Sequence, residues 1–238
     1  MHHTIVYREI PRPSAALIDL LRGIPVADLH DEMDEVERRT RLMHHSMRPA
    51  GLPVAPFVGP AVTAYNSPGD NLMMHTALFH AQAGDVLVLS NGGVPHGSLW
   101  GGNAAIQARQ RGVAAAVIDG PTRDLAQVRE VGFSVWSTSV SVSRPYKQAA
   151  GFVNMPLHCA GVWVRPGDIV VGDEDSVIVI DPADAERLAK AARARIGRDD
   201  KMQAAIAAGS TLFEQIGCLD KLRELRAEIR DGPWRPGD

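Results

Sequence analysis

Residues 84–93, GDVLVLSNGG, and residues 100–124, WGGNAAIQARQRGVAAAVIDGPTRD, decide the fold. Val86–Leu89 is an unbroken apolar run, as in a strand buried on both faces. The glycines Gly101 and Gly102 then precede a helix expected over 103–111, and 113–118 reads as a second apolar strand. Strand, helix and strand form a βαβ unit, so the chain is α/β with a parallel sheet. The loops that follow the two strands share one end of the sheet, where open α/β folds bind ligands. Gly101, Gly102, Asn103 and Ala104 offer backbone N–H groups at a helix start, which suit a carboxylate or phosphate. Arg123 and Asp124 set a fixed cation beside a carboxylate able to bind metal. Together the loops describe a site for a small anionic keto compound and a divalent metal ion.

Outward from this unit, Ser14 is placed to cap a helix over 15–21 that ends at Gly23. Pro25 opens a second helix whose apolar face takes Val26, Leu29, Met33 and Val36. A Pro- and Gly-rich loop is expected from Arg48 to Gly59, then a strand over 61–65. Asp70 caps a helix reaching Ala83, with Leu72, Thr76, Phe79 and Ala83 on one side. Asp124 starts a helix to Val131. Short strands are expected over 133–137, 140–142, 161–164, 169–171 and 176–180. Asp181-Pro182 pairs a cap with proline at the first helical position. From 182 to 230 the chain reads as helical and charged, with breaks at Gly197 and Gly217. We read the chain as one domain, 1–238, whose 182–230 segment is an arm for a neighbouring subunit; only 232–238 looks loose.

With 238 residues, 45% of them hydrophobic, the chain is long enough for one substantial core. A net charge of −3 without a basic face argues against a nucleic-acid partner. No apolar run approaches the roughly 20 residues of a membrane helix, and the N-terminus lacks a signal-peptide core. Cys159 and Cys218 are isolated, which favours reduced thiols over a disulfide framework or a CxxC metal site. These features point to a cytoplasmic protein.

The runs SPGDNLMMHTALFHAQAGDVLVLSNGG, WGGNAAIQARQRGVAAAVIDGPTRD and VRPGDIVVGDEDSVIVI resemble the RraA-like family over roughly residues 25–210. That family includes class II pyruvate aldolases that cleave 4-hydroxy-4-methyl-2-oxoglutarate or 4-carboxy-4-hydroxy-2-oxoadipate. It also includes an inhibitor of the ribonuclease E degradosome. The resemblance implies a β/β/α sandwich of the swivelling-domain type, assembled as a homotrimer or homohexamer with sites near subunit boundaries. It puts the substrate loop on Gly101, Gly102, Asn103 and Ala104, the catalytic arginine on Arg123 and the metal-binding aspartate on Asp124. Aldolase members carry an acid twenty-one positions before the arginine; here that position is Gly102. Gln127 is a second departure from an acid. A further acid from a neighbour's C-terminal helix falls on Asp199 or Asp200.

The implied chemistry is stabilisation of a pyruvate enolate, shared by retro-aldol cleavage and oxaloacetate decarboxylation. Mg²⁺, or another divalent ion such as Mn²⁺, suits a site with one or two carboxylates. Asp124 would bind it, Arg123 would face the developing oxyanion, and Asn71 and His75 are candidate polar contacts to a 2-oxo acid. Each piece also has a plain structural reading: Arg123-Asp124 as a surface helix cap, Gly101-Gly102 as a turn, and Pro68-Gly69-Asp70-Asn71 as only a turn and cap. With the acid at 102 absent, a non-catalytic regulator acting through protein contacts is the alternative function.

Overall fold

Both faces of the run at Val86 are buried because it lies in the middle of a three-layer structure. A computed structural model describes residues 3–51 and 55–233. Its first elements are β1 (Ile5–Val6), α1 (Ala15–Leu21), α2 (Val26–Asp31), α3 (Glu35–Thr40), β2 (Arg48–Pro49), β3 (Phe57–Asn66) and α4 (Leu72–His80). The βαβ region follows as β4 (Val86–Ser90), α5 (Gly102–Gln110), β5 (Ala115–Thr122), α6 (Leu125–Val131) and β6 (Val135–Val140). Then come β7 (Gly151–Val153), β8 (Leu157–Cys159), β9 (Val162–Val164), β10 (Ile169–Gly172), β11 (Val177–Ile180), α7 (Ala185–Ala207), α8 (Leu212–Gln215) and α9 (Cys218–Glu224).

The fold is α/β. Strands β3, β4, β5 and β6 are parallel neighbours, with β7 antiparallel to β3 at one side and β2 antiparallel to β6 at the other. Alternation along β4 shows how the layers are held. Leu87 and Leu89 pack with Met74 and Leu78 of α4, Ala105 of α5 and Val128 of α6. Val86 and Val88 belong to the opposite core with Leu157, Val162, Val170 and Val179 from β8 to β11. Two apolar faces with a period of two leave no polar position within this segment, hence the unbroken apolar reading. Strand β3 serves both layers: Phe57–Pro60 pairs with β10 and Ala61–Tyr65 with β4.

Several local expectations are corrected. The helix from Pro25 stops at Asp31, and Asp34 starts α3 with a reciprocal capping box to Glu37, which leaves Val36 exposed. The cap outcompetes continuation of the apolar stripe. Helix α4 ends at His80 rather than Ala83; it buries Met73, Met74, Ala77 and Leu78, while Phe79 faces solvent. The loop expected up to Gly59 is already strand from Phe57, and no strand covers 140–142 as a unit because β6 absorbs Val140. After Asp181 the chain makes a turn, with the Ala183 N–H donating to Asp181 Oδ1 at 3.0 Å, and α7 begins only at Ala185. Helix α7 then runs through Gly197 unbroken, since one glycine costs only about 1 kcal/mol in an Ala- and Arg-rich helix.

By contacts the chain divides into residues 1–193 and 194–238. The second unit contains the end of α7, α8 with its Thr211–Glu214 capping box, and α9, which Gly217 starts from the left-handed region. Part of the expected loose tail, 234–238, lies outside the described residues. No helix among the described residues is long and apolar enough to cross a membrane.

Candidate active site

The two loops expected to meet are zipped together by their backbones. The Leu99 N–H donates to Pro121 O at 2.8 Å and the Arg123 N–H to Trp100 O at 3.1 Å. The Trp100 ring, buried and stacked on Phe133 at 5.7 Å, anchors the first loop in the helix-side core. Gly101–Ala104 therefore stands beside Arg123 and Asp124.

Asp124 is not an ordinary helix cap. An N-cap aspartate normally has extended backbone and accepts from the N2 or N3 amide. Here it is left-handed, at φ 60° and ψ 39°, and its side chain makes no bond to α6. It turns instead to α5, where Oδ2 accepts the Gly102 N–H at 3.2 Å and lies 3.6 Å from Arg123 Nε. A left-handed non-glycine residue costs free energy, and its persistence at a pocket argues for a role in binding or chemistry. Arg123 and Asp124 are 36% and 43% exposed, so both are fixed yet reachable.

A pocket of about 220 Å³ opens beside them, lined by residues including Gly101, Asn103, Ala104, Arg123 and Asp124. Asn71, the N-cap of α4, and His75, one helical turn on, also line it with Met74. Gly102 is the exception in the glycine loop. It is buried, absent from the lining, and its N–H is spent on Asp124. A side chain at 102 would begin 1.8 Å from Gln127 Oε1 and 2.2 Å from Gln127 Cδ, so the amide of Gln127 fills the space that the missing acid would need. The two departures from the family pattern are thus neighbours in space, although the exposed Gln127 side chain is free to swing aside.

Lys147 also lines the pocket, and sequence reasoning missed it. It is carried in by Asp70, the residue expected only to cap α4. The buried Asp70 carboxylate accepts from Leu72 N at 2.8 Å and, across the chain, from Gln148 N at 2.6 Å and Ala149 N at 3.0 Å. Burial pushes its pKa up, but these three donors and Lys147 outweigh that and hold it below the ordinary value. No local pattern near Lys147 signals this, because the bonds span 78 and 79 residues. Burial first, then Lys147, lowers the pKa of His75 against the pull of Asp70, which keeps its imidazole neutral at pH 7. The pocket is thus lined by two cations, Arg123 and the exposed Lys147, against one carboxylate, Asp124.

Among the described residues no three His, Cys, Asp or Glu side chains are grouped to enclose a metal ion. Asp124 alone, with one oxygen engaged by Gly102, fits a hydrated Mg²⁺-type ion that completes its shell with water and substrate; it does not fit a closed zinc site. Asp199, a candidate for a shared acid, pairs with Arg195 at 3.5 Å within the second unit.

The sequence profile of the RraA-like family, described as Aldolase/RraA, matches residues 26–179. A protein of Halalkalibacterium halodurans, provisionally named a 4-hydroxy-4-methyl-2-oxoglutarate aldolase, is 31% identical over 196 residues, 81% of this chain and 91% of that protein. The 4-hydroxy-4-methyl-2-oxoglutarate aldolase of Thermus thermophilus is 33% identical over 111 residues, 47% of this chain and 68% of that one. Among solved structures, Streptomyces coelicolor RraAS2, titled an unusual member of the RNase ES inhibitor RraA family, superposes with a TM-score of 0.71 at 26% identity. That match covers 82% of this chain and all of the other.

Proposed function

The chain belongs to the RraA-like family, and from that premise we propose that it is a divalent-metal-dependent lyase acting on a 2-oxo acid through a pyruvate enolate. The observation that carries this reading is the geometry of Asp124, a left-handed residue whose carboxylate leaves its own helix and meets Arg123 and the α5 start at one pocket. The naming of relatives as 4-hydroxy-4-methyl-2-oxoglutarate aldolases supports a substrate of that class.

In this reading Asp124 holds the metal, which supplies Lewis-acid stabilisation of charge on the keto oxygen and carboxylate of the substrate. Arg123 donates to the oxygen on which negative charge develops as the C–C bond breaks, worth on the order of 3 kcal/mol. The N–H groups of Asn103 and Ala104, in the first turn of α5, hold the pyruvyl carboxylate with the helix dipole behind them. The Gly102 N–H fixes Asp124 instead of touching substrate. Lys147 takes a second carboxylate on the departing half, and neutral His75 and Asn71 hydrogen-bond its hydroxyl or carbonyl oxygen. Two cations facing one acid favour a dianionic substrate over a monoanion.

The arm carries exposed Leu212, Phe213, Ile216 and Leu219 within its own unit, a composition suited to packing on a second copy, which supports a homo-oligomer; the family resemblance implies a homotrimer or homohexamer. The regulator remains a second reading: one structural relative is described as an unusual member of the RNase ES inhibitor RraA family, and Gly102 lacks the acid of aldolase members.

The test is pyruvate release coupled to lactate dehydrogenase, with 4-hydroxy-4-methyl-2-oxoglutarate and oxaloacetate offered separately, with and without Mg²⁺. Metal-dependent release from either substrate, abolished by Arg123→Ala in a folded oligomer, is the expected result. Release from oxaloacetate alone would narrow the activity to decarboxylation. No release from either would favour the regulator.

A further inference from the structure

The opposite face of the sheet carries a second pocket, of about 360 Å³, that the lyase reading leaves unused. Its floor is a single row of side chains across four strands. Phe152 of β7 stands opposite Tyr65 of β3, Tyr65 opposite Ser90 of β4, and Ser90 opposite Asp119 of β5. Residues in register point to one face, and here it is the face of Val86, Val88, Ala115 and Val117, away from α4 and α5. The row lies toward the carboxyl ends of the parallel strands, where α/β sheets take ligands. Tyr65 and Phe152 stack at 5.3 Å, and the β8–β9 hairpin raises a second aromatic pair, His158 and Trp163, with rings 6.5 Å apart. All of these residues line the pocket.

Asp119 is the feature that calls for a ligand. Strand β5 is irregular immediately after it, with the register shifting between Ile118 and Pro121. Such bulges commonly re-aim a side chain beside a site. Gly120 sustains the shift at φ 154°, where an added Cβ would sit 2.7 Å from Asn91 Oδ1. Among the described residues the carboxylate itself has two long hydroxyl contacts, Ser90 Oγ at 3.4 Å and Thr138 Oγ1 at 3.5 Å. No Lys, Arg or His among the described residues pairs with it. The neighbouring thiol of Cys159 is held neutral, its pKa raised first by burial and then by Asp119, so it adds no second negative charge.

A carboxylate with weak partners and aromatic walls attracts a soft, poorly hydrated cation, through charge and through the negative ring faces. An anion is repelled, and a hydrated metal ion finds one acid among rings. We propose that this pocket binds an organic cation of the alkylguanidinium or alkylammonium class, with Asp119 as counter-ion and Tyr65, Phe152 and Trp163 as its walls. The cation is either a free small molecule or an arginine or lysine side chain of a second copy of this chain; the chemistry is the same.

Calorimetric titration of the full chain with methylguanidinium, and with uncharged methylurea as control, tests the first source. Light scattering at fixed protein concentration tests the second. Saturable binding of methylguanidinium but not methylurea, weakened about tenfold or more in Asp119→Asn and in Trp163→Ala, supports a free ligand. A fall in assembly mass in Asp119→Asn, or on saturation with methylguanidinium, supports a side chain from a second copy. Trp163 is exposed, so its variant keeps the test open if Asp119→Asn fails to fold. The proposal is overturned if both variants fold and leave cation binding and assembly mass unchanged, or if the wild type neither binds methylguanidinium nor assembles. Activity at Arg123 is not part of the readout, so the two sites stand or fall separately.

Discussion

Replacing Asp70 by asparagine keeps the shape of the side chain and removes its charge. In the wild type Oδ1 accepts from Leu72, while Oδ2 accepts from both Gln148 and Ala149 at 2.6 and 3.0 Å. An asparagine can satisfy the first donor but turns an NH₂ toward the other two, so two charge-assisted bonds are lost. At roughly 1.5–3 kcal/mol each, discounted because the 146–149 loop is partly open to water, the loss is about 2–4 kcal/mol. For a chain of this size that corresponds to about 5–15 °C in Tm. The pKa of Asp70 is depressed below its ordinary 3.8, so its contribution is fully present above that value and is lost as pH falls through the lower folded-state value. The stability gap between wild type and Asp70→Asn is therefore constant from about pH 5 to 8 and closes below about pH 4. Urea denaturation across this range measures it, and the KM for pyruvate-releasing substrate should rise because Lys147 loses its anchor. A variant within about 0.5 kcal/mol of wild type at pH 7, with an unchanged KM, would refute the role given to Asp70.

Three further outcomes are expected. Lys147→Ala should raise KM about tenfold with little change in kcat, as for loss of binding shared by ground and transition states; steady-state kinetics decides this. Gly102→Glu needs the exposed Gln127 side chain to swing aside, so it should tighten Mn²⁺ binding less than Gly102→Glu with Gln127→Ala, for which about tenfold or more is expected by paramagnetic titration. Equal affinities in the single and double variants would remove Gln127 from the argument. His75 is held neutral in the fold, so the protein loses stability as pH falls from about 6.5 through the lower folded pKa. His75→Gln should lose less between pH 7 and 5 in the same denaturation assay.

The parts of this architecture that could be read from sequence are those fixed by short-range rules. The double-sided run at Val86–Leu89, the glycine start of α5 and the adjacent Arg123 and Asp124 each carry a local signature, and the fold brings them together. The spacing of Val26, Leu29, Met33 and Val36 misled because periodicity cannot see a stronger cap arising at Asp34. The side of α4 that carries Leu72, Thr76 and Phe79 is not the one that packs: Met73, Met74, Ala77 and Leu78 are buried instead, because α4 is apolar on more than one side and its stripe is ambiguous. Strands β7 and β8, at three residues each, are too short to show alternation. Lys147 and the Asp119 row were illegible for another reason: both depend on contacts between distant segments. The Gly102–Gln127 packing was visible as two separate oddities but not as one.

The double duty of β3 has a consequence for how the chain reaches its fold. Its first half is hydrogen-bonded to β10, more than a hundred residues later, through pairs such as Gly59 with Val170. Such pairings are slow to form, because a long loop must close before they yield any stabilisation. During synthesis β3 and β4 can associate early, yet the edge at Phe57–Pro60 stays bare until Ile169–Gly172 has left the ribosome. Bare apolar edges are templates for pairing with other chains. A chain interrupted before residue 169 would therefore present an unpaired strand edge at Phe57–Pro60 to its neighbours.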